Sequence, residues 1–203
     1  MATEIILVRH GETLWNKESR FQGSADVKLS SDGVKQAERL AERFADFRLD
    51  MVYASDLQRA AKTAEIVADQ HGININTEAK LREANFGVWE GLTFEEIKER
   101  DGEKLDAWLK DPVTVQTPEG ENFEEVQKRA KEGLNRIKTK HEDEQVLVVA
   151  HGGTIRALLV DLLGMPLSNF WRIQQDNTAV NIVKFYDGDP IVSLINCTQH
   201  LRE

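Results

Sequence analysis

The sequence predicts an α/β fold on three observations. Short β-branched runs alternate with amphipathic stretches along the 203 residues, the pattern of strands and helices in turn. The longest apolar run, Val146-Leu147-Val148-Val149-Ala150, has the character of a central, buried strand. Two runs also end in matching punctuation, Val8-Arg9-His10-Gly11 and Ala150-His151-Gly152-Gly153, where glycine lets the chain turn sharply as it leaves a sheet.

The elements follow in order. Residues 4–9 read as a buried strand. Residues 31–47 read as a helix, with Val34, Ala37, Leu40, Ala41, Phe44 and Phe47 at helical spacing. Residues 50–54 form a second strand. Ser55, three residues before Gln58, predicts a capping box that opens a helix to about residue 71. A short strand is expected at 73–76. Thr93 and Glu96 predict another capping box and a helix over 93–100. Pro112, Pro118 and Gly120 predict a loop from there to about residue 121. Residues 122–141 are amphipathic, 145–150 form a strand, and 154–163 form a helix stopped by Gly164 and Pro166. Residues 180–185 and 191–195 are expected to close the sheet as a hairpin around Asp187-Gly188-Asp189. A single domain over 1–203 is expected. Residues 84–121 are its candidate helical cap insertion, since their helices stand apart from the strand–helix alternation.

Composition narrows the functions. With 40% apolar and 30% charged residues the chain is that of a globular protein, long enough to bury a core without staples. One cysteine, Cys197, excludes an intrachain disulfide and a cysteine zinc cluster. The N-terminus lacks the segments of a secretory signal, and the longest apolar run is too short for a bilayer. A cytoplasmic protein with no membrane partner is therefore expected. Lys plus Arg number 26 against 35 Asp plus Glu, a net charge of -9 with no basic cluster, so no nucleic-acid footprint is expected. A small anionic substrate requires only that a few arginines gather in one pocket.

Ligands of open α/β sheets sit beyond the carboxyl ends of the strands. If the two matched strands are neighbours, His10 and His151 face one crevice. A lone histidine after a strand is commonly packed or capping; a matched pair, each before glycine, points to chemistry. His71 and His141 close amphipathic helices and are expected to act there as favourable C-terminal charges. Arg59 falls in the first turn of a helix, where the dipole favours anions, and a bound anion would resolve that conflict. Arg9 follows four apolar residues and needs an anionic partner in the crevice. Two planar guanidiniums suit a phosphate. Glu83 lies in an apolar, glycine-marked stretch, Leu81 to Gly91, where a partly buried carboxyl could serve as a general acid. No G-x-G-x-x-G or P-loop pattern follows the first strand, and no H-E-x-x-H pair is present, which disfavours a dinucleotide-binding module and a metal hydrolase.

The ordered set resembles the histidine phosphatase superfamily, the phosphoglycerate-mutase-like enzymes. The resemblance rests on Leu7-Val8-Arg9-His10-Gly11-Glu12-Thr13, Trp15-Asn16, Phe21-Gln22-Gly23 and Leu29-Ser30 with Gly33, Gln36 and Ala37. It continues through Ser55-Asp56-Leu57-Gln58-Arg59-Ala60, Thr63-Ala64, Leu81-Arg82-Glu83, Phe86-Gly87, Glu90-Gly91 and Val149-Ala150-His151-Gly152-Gly153. It implies a three-layer α/β/α sandwich with a mostly parallel sheet. It makes His10 the nucleophile that becomes phosphohistidine, with Arg9, Arg59 and His151 neutralising the phosphoryl oxygens. Glu83 would protonate the leaving alcohol and then activate water. Asn16, Gln22, Gly23 and Gly152 would line the phosphate and substrate pocket, and helix N-termini after Gly153 and Ser55 would add backbone donors. No metal or cofactor is implied. The partner would be a small phosphorylated metabolite, and a homodimer is compatible.

Within the family, the short length resembles the α-ribazole-5′-phosphate phosphatases of cobalamin biosynthesis and the broad-specificity bacterial monoesterases. The alternative is a phosphoglycerate mutase. Mutases of this family carry a His-Tyr pair beside the acid glutamate and further basic residues. Here Ala84-Asn85-Phe86 stand there, followed by Glu95, Glu96, Glu99, Asp101 and Glu103, which favours a phosphatase. Of Phe21, Phe86, Trp89, Trp108 and Trp171, two are expected at the leaving-group pocket and the others in the core.

Overall fold

Side-chain alternation along two neighbouring strands decides which helix packs where. A computed structural model describes residues 2–202. Its strands are β1 (Thr3–Arg9), β2 (Met51–Ala54), β3 (Ile75–Thr77), β4 (Gln145–Ala150), β5 (Val180–Tyr186) and β6 (Asp189–Cys197). Its α-helices are α1 (Leu14–Lys17), α2 (Ser31–Phe44), α3 (Gln58–His71), α4 (Phe94–Lys110), α5 (Phe123–Lys140) and α6 (Gly152–Leu162). Ile6, Val8, Leu147 and Val149 pack with Leu40 and Phe44 of α2 and Ala60, Ala64 and Val67 of α3. Their sequence neighbours Ile5, Leu7, Val146 and Val148 pack with Val126 and Leu134 of α5 and Ile155 and Leu158 of α6. A period of two thus feeds two cores, and the molecule is an α/β/α sandwich.

The sheet order is β3-β2-β4-β1-β5-β6. The β1–β4, β4–β2 and β2–β3 pairs are parallel, and β5 and β6 add antiparallel, giving the mostly parallel sheet expected. Arg9 stands in register with Ala150, so His10 and His151 leave adjacent strands at one level. Their common crevice lies where the chain order reverses, the usual place for a ligand. The turn after β1 is pressed against the start of α2. A Cβ on Gly11 would lie 2.5 Å from the Gly33 carbonyl oxygen, so neither position has room for a side chain.

Three differences from the sequence reading have a clear physical cause, besides shifts of one or two residues elsewhere. Helix α2 ends at Phe44, and Phe47 turns back to meet the Phe44 ring edge-on at 5.2 Å. Helix α3 opens at Gln58, and the Ser55–Gln58 box does not form. Instead Asp26, distant in sequence, accepts from the Gln58 backbone N–H and side-chain amide, both at 2.7 Å. Helix α4 forms its Thr93–Glu96 box but runs on to Lys110 through a kink at Asp101 (φ −133°, ψ 35°), where a loop was expected. The Trp89 indole donates to Asp101 at 3.0 Å at that kink.

Candidate active site

Four cationic or imidazole side chains meet where β1 and β4 end. The His10 Nδ1–H donates to the Gly11 carbonyl at 2.6 Å, which fixes the tautomer and leaves the Nε2 lone pair free. Its ring centroid is 5.2 Å from that of His151, tilted by 57°. Burial, then Arg59 and Arg9, hold His10 well below its ordinary 6.5. Burial, then Arg59 and His10, do the same to His151. Both rings are therefore neutral at pH 7.

The two arginines are buried and anchored by carbonyls. Arg9 donates from Nη1 to Gln175 at 2.7 Å. Arg59 donates from Nη1 to Ala25 and from Nη2 to Gly23, both at 2.7 Å. Burial pulls Arg59 down to about 10. Among the described residues six buried side-chain nitrogens lack a hydrogen-bond partner, and four belong here: Arg9 Nε, Arg59 Nε and both nitrogens of His151. Buried polar groups are ordinarily paired, so their concentration marks a site built for a polar guest, with the sign of an anion.

The remaining expected residues surround this cluster. Asn16 accepts from the Thr13 N–H at 3.0 Å and Gln22 accepts from the Thr13 hydroxyl at 2.9 Å, so both brace the turn after His10. Gly23 has φ +55°, and a Cβ there would overlap the Glu90 carboxylate. Gly152 lies beside Arg9, whose Nε would be 3.4 Å from an added Cβ. Glu83 is partly buried beside Gly153 and Phe123, as its surroundings suggest, and polar donors hold its carboxylate. Its carboxylate accepts from the N–H groups of Gly153 and Thr154 at 2.9 and 3.1 Å and from the Thr154 hydroxyl at 3.2 Å. Glu83 thus covers the start of α6 while Asp26 covers the start of α3. The backbone donors expected from Gly153 and Gln58 are engaged by protein carboxylates.

Several residues here were missed. Arg129 pins Glu83, donating to its carbonyl at 2.9 Å while paired with Glu121 at 2.8 Å; nothing local in the sequence marks it. Arg156 is a third guanidinium in the field of Glu83 and Arg9, 5.5 Å from the Trp171 ring centroid. It follows His151 within a helix as Arg59 follows Ser55, a parallel that could have found it. Trp89 and Trp108 are buried, whereas Phe21 and Phe86 are half-buried and Trp171 is 48% exposed. Trp108 links Phe21, Phe86 and Trp171 at 5.8–6.0 Å, and Phe123 connects this wall to Gly153 and Glu83. His141, at the C-terminal end of α5 as expected, is buried and joins the Tyr53 hydroxyl at 2.9 Å to Glu144 at 2.7 Å. Among the described residues no group of three His, Cys, Asp or Glu side chains could hold a metal ion, and no helix is long and apolar enough to cross a membrane.

Fold and site together define an α/β protein with two histidines and two arginines gathered at the carboxyl end of its sheet. Residues 5–198 match the model of the histidine phosphatase superfamily, branch 1. The chain is 34% identical over 200 residues to phosphoserine phosphatase 1 of Hydrogenobacter thermophilus, covering 98% of this chain and 95% of that protein. It superposes on Bacillus stearothermophilus YhfR with a TM-score of 0.94 at 36% identity, over 99% of this chain and 100% of that one. It is also similar to the α-ribazole phosphatase of Shigella flexneri, with a TM-score of 0.89, 27% identity and 96% of each chain covered. The chain belongs to the histidine phosphatase superfamily and is a hydrolase of the phosphatase class.

Proposed function

We propose that the protein hydrolyses small phosphate monoesters without a metal, through a phosphohistidine on His10. The observation that carries this reading is the set of unpartnered buried nitrogens of Arg9, Arg59 and His151 around a His10 ring whose Nδ1 is already bonded. The His10 Nε2 lone pair attacks phosphorus as the bond to the leaving oxygen breaks, and Glu83 gives that oxygen its proton. Charge on the equatorial oxygens falls on preplaced cations, the main source of catalysis in phosphoryl transfer. Glu83 then takes a proton from water, the water oxygen attacks phosphorus, and the nitrogen–phosphorus bond breaks to release phosphate.

The leaving group would lie beyond Glu83, along Phe21, Phe86 and Trp171 and within the field of Arg156. Similarity to the Hydrogenobacter and Shigella proteins makes phosphoserine and α-ribazole 5′-phosphate the first substrates to rank. Phosphoglycerate isomerisation is the lesser reading, because Ala84-Asn85-Phe86 supply no cation next to Glu83.

The test is phosphate release from a panel of these two esters, 3-phosphoglycerate and p-nitrophenyl phosphate, in EDTA, by the native protein and His10→Ala. Chelator-resistant release that vanishes in His10→Ala is expected, and the rank order names the substrate. EDTA-sensitive release, or release that survives without His10, would overturn the mechanism. Isomerisation without phosphate release would identify a mutase.

A further inference from the structure

Thr178 is fully buried, β-branched and held at φ +53°, a conformation such residues rarely adopt. Its N–H donates to the carbonyls of Arg9 and His10 at 3.0 and 3.3 Å. The side chain of Asn177 adds a second donor to the His10 carbonyl at 3.1 Å. On the other side of the same peptide plane, the Gly11 N–H donates to Thr63 at 3.0 Å. The His10–Gly11 peptide is therefore held at both ends, and the Gly11 carbonyl that follows it holds the His10 ring.

What holds Thr178 comes from the end of the chain. His200 Nε2 lies 3.0 Å from the Thr178 hydroxyl oxygen, and His200 Nδ1 lies 3.3 Å from Arg43 Nη1. Arginine can only donate, so Nδ1 accepts and Nε2 carries the proton. Nε2–H then donates to the Thr178 oxygen, and the Thr178 hydroxyl donates to the Asn177 carbonyl at 2.8 Å. Every proton in the series Arg43, His200, Thr178, Asn177 has one direction. Asn196 secures the same turn by exchanging bonds of 2.8 and 2.9 Å with Asp176.

We infer that His200 is a positioning residue for the nucleophile, setting the Thr178 turn and through it the aim of the His10 ring. This rests on the reading of His10 as the attacking group. Burial, then Arg43 and Arg39, hold His200 down at about 4, which keeps it in the neutral form the series requires at Nδ1.

The experiment compares full-length His200→Ala, His200→Gln, Thr178→Val, the His200→Ala/Thr178→Val double variant and His10→Ala. The readouts are kcat and KM with p-nitrophenyl phosphate, and the burst of acid-labile phosphoenzyme. Displacing a reacting group by about 1 Å costs up to about a hundredfold in rate. His200→Ala is expected to lower kcat and the burst rate at least about tenfold, with KM changed less than about twofold. His200→Gln, which can place an amide donor near the Nε2 position, should recover most of that loss. The double variant should be no worse than about twofold below either single, because one path is removed once. Leu134→Ala, a buried position of α5 with no side-chain bond to the site residues, controls for stability and should leave kcat unchanged.

A kcat for His200→Ala within about twofold of native, or multiplying losses in the double variant, would overturn the inference. So would an equal loss of kcat in Leu134→Ala at matched melting temperature. If Thr178→Val does not fold, the contrast between Ala and Gln at His200 decides alone. Turnover surviving in His10→Ala overturns the nucleophile reading and this one with it. An inactive His10→Ala beside an unimpaired His200→Ala overturns only this one.

Discussion

His10 keeps its lone pair because two guanidiniums and burial make a proton on it unfavourable. The nucleophile should consequently stay active on the acid side of its ordinary range. The acid limb of kcat/KM belonging to His10, assigned by imidazole ¹⁵N shifts under the same conditions, should lie below pH 6.5; a limb at or above it would contradict the electrostatics drawn here. Glu83 makes a second prediction. Glu83→Gln should slow phosphoryl transfer from alkyl phosphates about 10²–10⁴-fold and from p-nitrophenyl phosphate far less, since nitrophenolate leaves without a proton. An equal loss on both substrates in single-turnover assays would remove the acid role. Arg59→Lys is not a mild change. A single ammonium nitrogen cannot stand at the three separate places where Nη1 and Nη2 hold the Ala25 and Gly23 carbonyls and Nε is left for the guest, so the activity of Arg59→Lys should fall.

Among the elements, α3 and α4 carry the clearest tests. Asp26 caps α3 across the chain, so Asp26→Ala should lower stability by about 1 kcal/mol, with Asp26→Asn recovering most of it in urea melts. No loss of stability in Asp26→Ala would mean the cap is idle. At the α4 kink, Asp101→Ala removes the acceptor of the Trp89 indole N–H, and a lowered urea midpoint is expected; an unchanged midpoint would mean water serves that N–H equally well. Sequence reading located β1, β4 and α5 because each is signalled locally: the apolar runs of residues 5–8 and 146–150, and the amphipathic period of residues 122–141. It misplaced the start of α3 because Ser55 looks like a cap, whereas the acceptor that wins is Asp26, 32 residues earlier in the chain. The same logic separates the site residues. Arg9, His10 and His151 sit at strand ends that punctuation marks, whereas Arg129, Thr178 and His200 act through tertiary contacts that no spacing encodes.

For the whole molecule, the buried neutral histidines set the response to acid. An unfolded histidine titrates near 6.5; His10 and His151 are held well below that when folded, and His200 at about 4. Between those values the unfolded chain binds protons that the folded chain refuses. Their stabilising contribution is whole above about pH 6.5 and declines as pH falls towards 4. The urea midpoint should thus drop between pH 7.5 and 5, and an unchanged or higher midpoint at pH 5 would refute this account.

The place of β1 also has a bearing on synthesis. Strand β1 lies between β4 and β5 but precedes both in the chain, so it must wait for them. At ordinary translation rates, β4 begins to emerge about 136 residues after Arg9, roughly seven to thirty seconds later. Throughout that interval the apolar stretch Ile5-Ile6-Leu7-Val8 has no sheet to join. A nascent chain arrested before Gln145 leaves this segment open to chaperones, and the crevice between β1 and β4 is complete only once both strands have been made.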